Sequence, residues 1–150
     1  MDLERIESVK SGGIAALAGA SVSAVGLVLD AELHDILGAT IPTNGTLGIV
    51  PIAMGTVCAF LFGVTYRYIV RQDKNPHLRS GAVGAFALTR GLSQLESSNW
   101  SALSLDISTV FPFIWPIVKS FGLFLVIRIV LDYALGQRWI QDFRAGPYPD

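Results

Sequence analysis

The chain has 150 residues, 51% of them hydrophobic and only 15% charged, with a mean hydropathy of +0.51. That is too apolar for an ordinary soluble domain of this length, and a formal net charge of −1 gives no reason to expect a nucleic-acid partner. Cys58 is the only cysteine, so an intramolecular disulfide is excluded.

The first predicted element is a span at about residues 11–29, a stretch with no ionisable side chain. A helix of roughly 20 apolar residues crosses a hydrocarbon core of about 30 Å. The preceding MDLERIESVK mixes Asp2, Glu4 and Glu7 with Arg5 and Lys10, and so lacks the net positive region of a cleaved signal peptide. Gly12, Ala16, Ala20 and Ala24 recur every four residues along this span, with Ala15, Gly19 and Ser23 forming a second small-residue ridge beside them. In lipid such ridges let backbones approach closely, either onto the protein's own spans or onto a partner subunit.

Asp30, Glu32 and Asp35 follow in a loop without Lys or Arg. The second predicted span, 46–70, starts after the turn residues Pro42, Asn44 and Gly45 and carries Pro51 near its beginning, where a missing amide hydrogen costs least. The next loop is basic, with Arg67, Arg71, Lys74 and Arg79, and Asn75-Pro76 reverses the chain. A third, shorter span is predicted at 80–96; it contains Arg90, about 15 Å along the helix and hence near the bilayer midplane. Another loop free of Lys and Arg precedes the fourth span, 111–135, which holds Lys119, Arg128 and Asp132.

Pro112 and Pro116 argue against one unbroken helix from Ile107 onward. Two arrangements remain: a helix that begins near Pro116 with Lys119 snorkelling outward, or a kinked helix from Phe111 with Lys119 deeper. Arg128 and Asp132, four positions apart, share a helix face and can satisfy each other. Arg90 has no such neighbour on its own helix; it can snorkel toward the outer surface, pair with an acid on another span, or receive a lipid phosphate, a pigment carbonyl or a partner subunit's carboxylate.

Basic loops are retained on the cytoplasmic side or its equivalent. The amino-terminal tail, the loop after the second span and the carboxyl tail with Arg138 and Arg144 all carry cations, and the other two loops carry none. The reading is therefore an all-α polytopic membrane protein. It has four transmembrane helices, both termini on the cytoplasmic or stromal side, and one membrane domain over residues 1–150. Tyr66, Tyr68, Trp100, Trp115, Tyr133 and Trp139 supply two aromatic belts.

Chemical motifs are missing from the sequence: no phosphate-binding loop, no metal-ligand cluster and no nucleophile with a base. His34 and His77 fall in loops on opposite sides and cannot share a metal. The triplets at Asn44 and Asn99 fit the glycosylation pattern and lie in the two outer loops.

One central segment carries a family likeness. Tyr66-Arg67-Tyr68, Arg71-Gln72-Asp73, Asn75-Pro76, Gly81, Gly84-Ala85-Phe86 and Arg90-Gly91-Leu92 together resemble a stretch in small integral membrane proteins of cyanobacteria and chloroplasts. The resemblance brings no catalytic residue; it implies a thylakoid location and an accessory or assembly role in a photosynthetic complex. The expectation from residues and resemblance together is a non-enzymatic accessory subunit or assembly factor. It would dock through Gly12, Ala16, Ala20 and Ala24, make a polar contact within the membrane through Arg90, and meet headgroups through the basic loop. Its partners would be membrane lipid and other integral subunits. No cofactor, metal or defined small-molecule substrate is required, although an interface could hold a lipid or pigment. The alternative is an oligomeric channel or transporter component with an anion-favouring path near Arg90.

Overall fold

In lipid every backbone amide must find its partner within the chain, and helices accomplish this locally. The computed structural model describes residues 2–37, 48–70, 76–96 and 107–140, and these form four helices and no strand. They are α1 (Asp2–Leu37), α2 (Ile49–Ile69), α3 (Pro76–Glu96) and α4 (Ile107–Gly136). Three of them, over Arg5–Leu33, Ile49–Ile69 and Phe113–Gly136, are long and apolar enough to cross a membrane. The fourth, α3, equals α2 in length at 21 residues but is more polar, and composition alone does not make it a span. Pro42, Asn44, Arg71, Lys74, Asn75, Asn99, Trp100 and Arg144, to which the sequence reading gave loop or tail roles, lie outside the described residues.

The helix boundaries correct the sequence reading in several places: His34 falls in α1, Arg67 in α2, and His77 and Arg79 in α3, none of them in a loop. Helix α1 has 36 residues, about 54 Å of helix, so it runs well past both ends of the expected 11–29 span. Asp30, Glu32 and Asp35 are therefore helical residues, not loop residues. Helix α4 is continuous through Pro112 and Pro116. The two prolines are four apart, so Ser108, Pro112, Pro116 and Ser120 fall on one strip of the helix, and the lost amide hydrogens are confined to it. At the end of that strip the Ser120 hydroxyl donates to the Pro116 carbonyl at 2.8 Å.

The helices pack as antiparallel neighbours, most extensively α1 against α2 and α3 against α4, with α1 also meeting α4. The α1–α2 seam is built from absent side chains. A Cβ on Gly63 would stand 2.7 Å from the Ser11 carbonyl oxygen and 3.1 Å from the Gly12 Cα, and one on Gly19 would run into the Ala59 methyl. Ser11 uses the close approach to donate its hydroxyl to the Gly63 carbonyl at 2.7 Å.

On the other side of α2 an aromatic cluster joins α2, α3 and α4. Phe62 lies 5.3 Å from both Tyr66 and Phe86 and 5.2 Å from Phe124, centroid to centroid. Ile127 and Leu131 extend this core along α4. Most hydroxyls on the helices dispose of their polarity locally: Ser21, Thr56, Thr65 and Thr89 each donate to the carbonyl four residues back.

Candidate functional site

Polar groups inside the bundle gather at two levels, which take their names here from Asp132 and Asp30. At the Asp132 end, the expected pair with Arg128 is present, Nε to Oδ2 at 3.6 Å. The carboxylate also accepts the Tyr66 hydroxyl at 2.7 Å and Arg79 Nη1 at 3.3 Å, while Arg128 Nη1 donates to Ser80 at 3.2 Å. Asp132 thus ties α2, α3 and α4 together. Arg67 belongs to the last turn of α2, not to the loop; it is buried at 1% exposure and donates to the Ser8 hydroxyl of α1 at 2.7 Å. Arg67 and Arg79 thus serve helix contacts within the bundle.

At the Asp30 end, Lys119 reaches across from α4 and places Nζ 2.6 Å from Asp30 Oδ2 and 2.8 Å from Oδ1. Trp115, one helical turn earlier, donates its indole N–H to the same carboxylate at 2.7 Å. Asp30 is buried, with two donors from one neighbouring helix, so α1 and α4 are fastened at this point by a charge-assisted cluster. Lys119 is the thirteenth residue of α4 and is directed at a partner, which favours the arrangement that placed it deeper in the span. On the α3 side, Gln94 Nε2 donates to the Ser120 hydroxyl at 3.2 Å.

Arg90 stands apart from both clusters. Its guanidinium approaches the Pro51 carbonyl at 3.5 Å and the Cys58 sulfur at 3.8 Å, both at the long limit of a hydrogen bond, and no carboxylate pairs with it among the described residues. Gly55 lies beside it and makes room for Ser23: a Cβ there would collide with the Ser23 hydroxyl and would stand 3.4 Å from Arg90 Nη2, an ordinary contact.

These groups face one cavity of about 300 Å³ between α1, α3 and α4, touched by α2 at Pro51. Arg90, Lys119 and Asp30 supply its charges, and valines, leucines and glycines of α1 and α4 supply most of the rest of its wall.

The docking residues expected on α1 separate in the structure. Gly12 faces α2, where a Cβ would meet the Phe60 ring at 2.7 Å. Ala16 and Ala20 are half-buried and line a shallow groove with Gly13, Leu17, Thr56 and Trp139, while Ala24 is exposed. The second ridge, Ala15, Gly19 and Ser23, makes the tight contact with α2. The cluster around Asp30 was missed because the acid follows a charge-free run and reads as loop. An acid closing one span and a lysine opening another at the same level was the available signal. No group of residues suited to a metal occurs among the described residues.

Three helices of membrane-crossing length and composition, packed through glycine contacts and internal charge pairs, are the features of a helical membrane protein. Compared with protein-family models, curated proteins and solved structures, the chain matches none.

Proposed function

We propose that this chain is a non-catalytic membrane subunit that works by helix docking, as an accessory or assembly component of a larger membrane complex. The observation that carries this reading is the state of α1. Only 17% of its apolar window is buried, against 28% in α2 and 33% in α4. Its uncovered face carries Leu17, 74% exposed, with Val25 and Val28, beside the small residues Gly13, Ala16 and Ala20. A Cβ on Gly13 would meet nothing, so this strip is open to a second helix. Small residues flanked by larger apolar ones are the surface on which helices associate in lipid.

The reading includes four crossings with both termini on one side. The placement of α3 supports it. This helix runs antiparallel beside α4 from Arg79, at Asp132, to Gln94, at Ser120, so it extends alongside a helix that is itself fit to span. The distribution of Lys and Arg between alternate loops supports it further. A thylakoid location rests on the resemblance of the central segment alone.

The test is co-purification from the native membrane. Ala16→Leu and Ala20→Leu are expected to insert and fold yet lose the proteins that travel with the wild type; unchanged co-purification removes the docking face. A second reading, an oligomeric anion path, is favoured by the position of Arg90 and Lys119 on one cavity. Lys119 is already neutralised by Asp30, which weakens it. Chloride flux into vesicles containing the protein, abolished by Arg90→Ala, would raise this reading above docking.

A further inference from the structure

The cavity at the Asp30 end has an unbalanced charge. Lys119 and Asp30 cancel at 2.6 Å, and Arg90 remains. An ionisable group at depth in a membrane pairs, reaches water or marks a ligand site. A guanidinium offers five donors, and the two long contacts of Arg90 go to a carbonyl and a thiol, leaving its charge unmatched among the described residues. The neighbouring hydroxyl repeats the deficit. Ser23 Oγ is the buried hydroxyl without a hydrogen-bond partner among the described residues, although other hydroxyls on these helices bond back along their own backbone. Both groups crowd around Gly55, so one negatively charged acceptor can serve both.

The wall between α1 and α4 determines what kind of molecule carries that charge. Gly26 on α1 and Gly122 on α4 both line the cavity, and a Cβ on either would meet nothing within 4 Å. Their flanks are apolar and exposed: Val25 and Leu29 on one side, Val118 and Val126 on the other. The cavity thus opens through a glycine gap onto two apolar rims. A free inorganic anion would leave both rims uncovered, whereas a headgroup with acyl chains covers them.

We propose that this cavity holds one monoanionic phospholipid. Its phosphodiester receives Arg90 and Ser23, and its acyl chains leave through the Gly26–Gly122 gap to lie along the rims of α1 and α4. The lipid supplies the one negative charge that the cavity lacks and covers the apolar rims at Val25, Leu29, Val118 and Val126. This site is independent of the docking strip at Gly13, Ala16 and Ala20, and stands whether or not a partner binds there.

The experiment is native mass spectrometry of delipidated protein titrated with dioleoyl phosphatidylglycerol, with dioleoyl phosphatidylcholine and oleate as comparison arms. The expected result is a one-to-one adduct with phosphatidylglycerol that outlasts the other two under collisional activation. Arg90→Gln is expected to weaken it about tenfold or more. Gly122→Leu is expected to abolish it by filling the gap while leaving thermal unfolding of the helices unchanged. Equal retention of phosphatidylcholine would overturn the charge argument, and preferred retention of oleate would overturn the choice of a phospholipid. A normally folded Gly122→Leu that still binds phosphatidylglycerol would overturn the site itself.

Discussion

Single residues in this bundle act mostly through what they leave out. Gly63 and Gly122 are both helical glycines in apolar surroundings, yet one has backbone atoms where its Cβ would be and the other has open space. Gly63→Ala is expected to force α1 from α2, lose the Ser11 hydrogen bond and destabilise the fold by about 1–3 kcal/mol. Gly81→Ala, where a Cβ meets nothing, should be neutral or stabilise by up to about 1 kcal/mol through helix propensity. Unfolding of both in mixed micelles distinguishes them. The charged residues are testable in the same way. Either Asp30→Asn or Lys119→Met strands a partly buried charge, at about 3–5 kcal/mol, while Asp30→Leu combined with Lys119→Met should recover much of the loss. Equal damage from the double and single variants would mean that the pair does not couple α1 to α4.

The sequence made some of these roles legible and hid others for a physical reason. Spacing of four on one helix is local information, so Arg128 with Asp132 could be read directly. Asp30 and Lys119, 89 positions apart on two helices, form a pair visible only once both helices are placed. Gly12 was distinguishable from Ala16 only by its rotation about α1, which a four-residue repeat does not specify.

Among the helices, charge-free runs located the apolar parts of α1 and α2 well, and a strongly apolar run interrupted by Lys119, Arg128 and Asp132 located that of α4, because lipid imposes length and composition directly. They located helix ends poorly, because a helix continues beyond the hydrocarbon for as long as its backbone bonds are met. Hence α1 extends through Asp30 and α4 begins before its prolines. Helix α3 raises the opposite problem. Its exposed face bears Leu88 and Leu92 but also Thr89 and Ser93, and its other face is held by Arg79 and Gln94 to groups on α4. A helix most of whose polar groups meet partners within the bundle, Arg90 being the exception, can cross lipid despite a modest composition. In a Cys58→Ala background, a cysteine at Leu88 is expected to resist a membrane-impermeant maleimide in sealed vesicles from both sides, and one at Glu96 to react from one side only. Rapid labelling at position 88 would place α3 outside the membrane.

Across the whole molecule, the bundle is closed unevenly. The aromatic core and the Asp132 network bind α2, α3 and α4, whereas α1 is held along its seam with α2, against α4 and at the Asp30 cluster, and exposes the rest of its apolar surface. That asymmetry underlies the proposed role as a docking subunit. Its most direct test is a photo-crosslinking residue at Leu17, irradiated in the native membrane and compared with the same residue at Ile129 on α4. The account expects Leu17 to capture a specific integral membrane protein in high yield, with Ile129 yielding mainly lipid. Lipid adducts alone from Leu17 would contradict it.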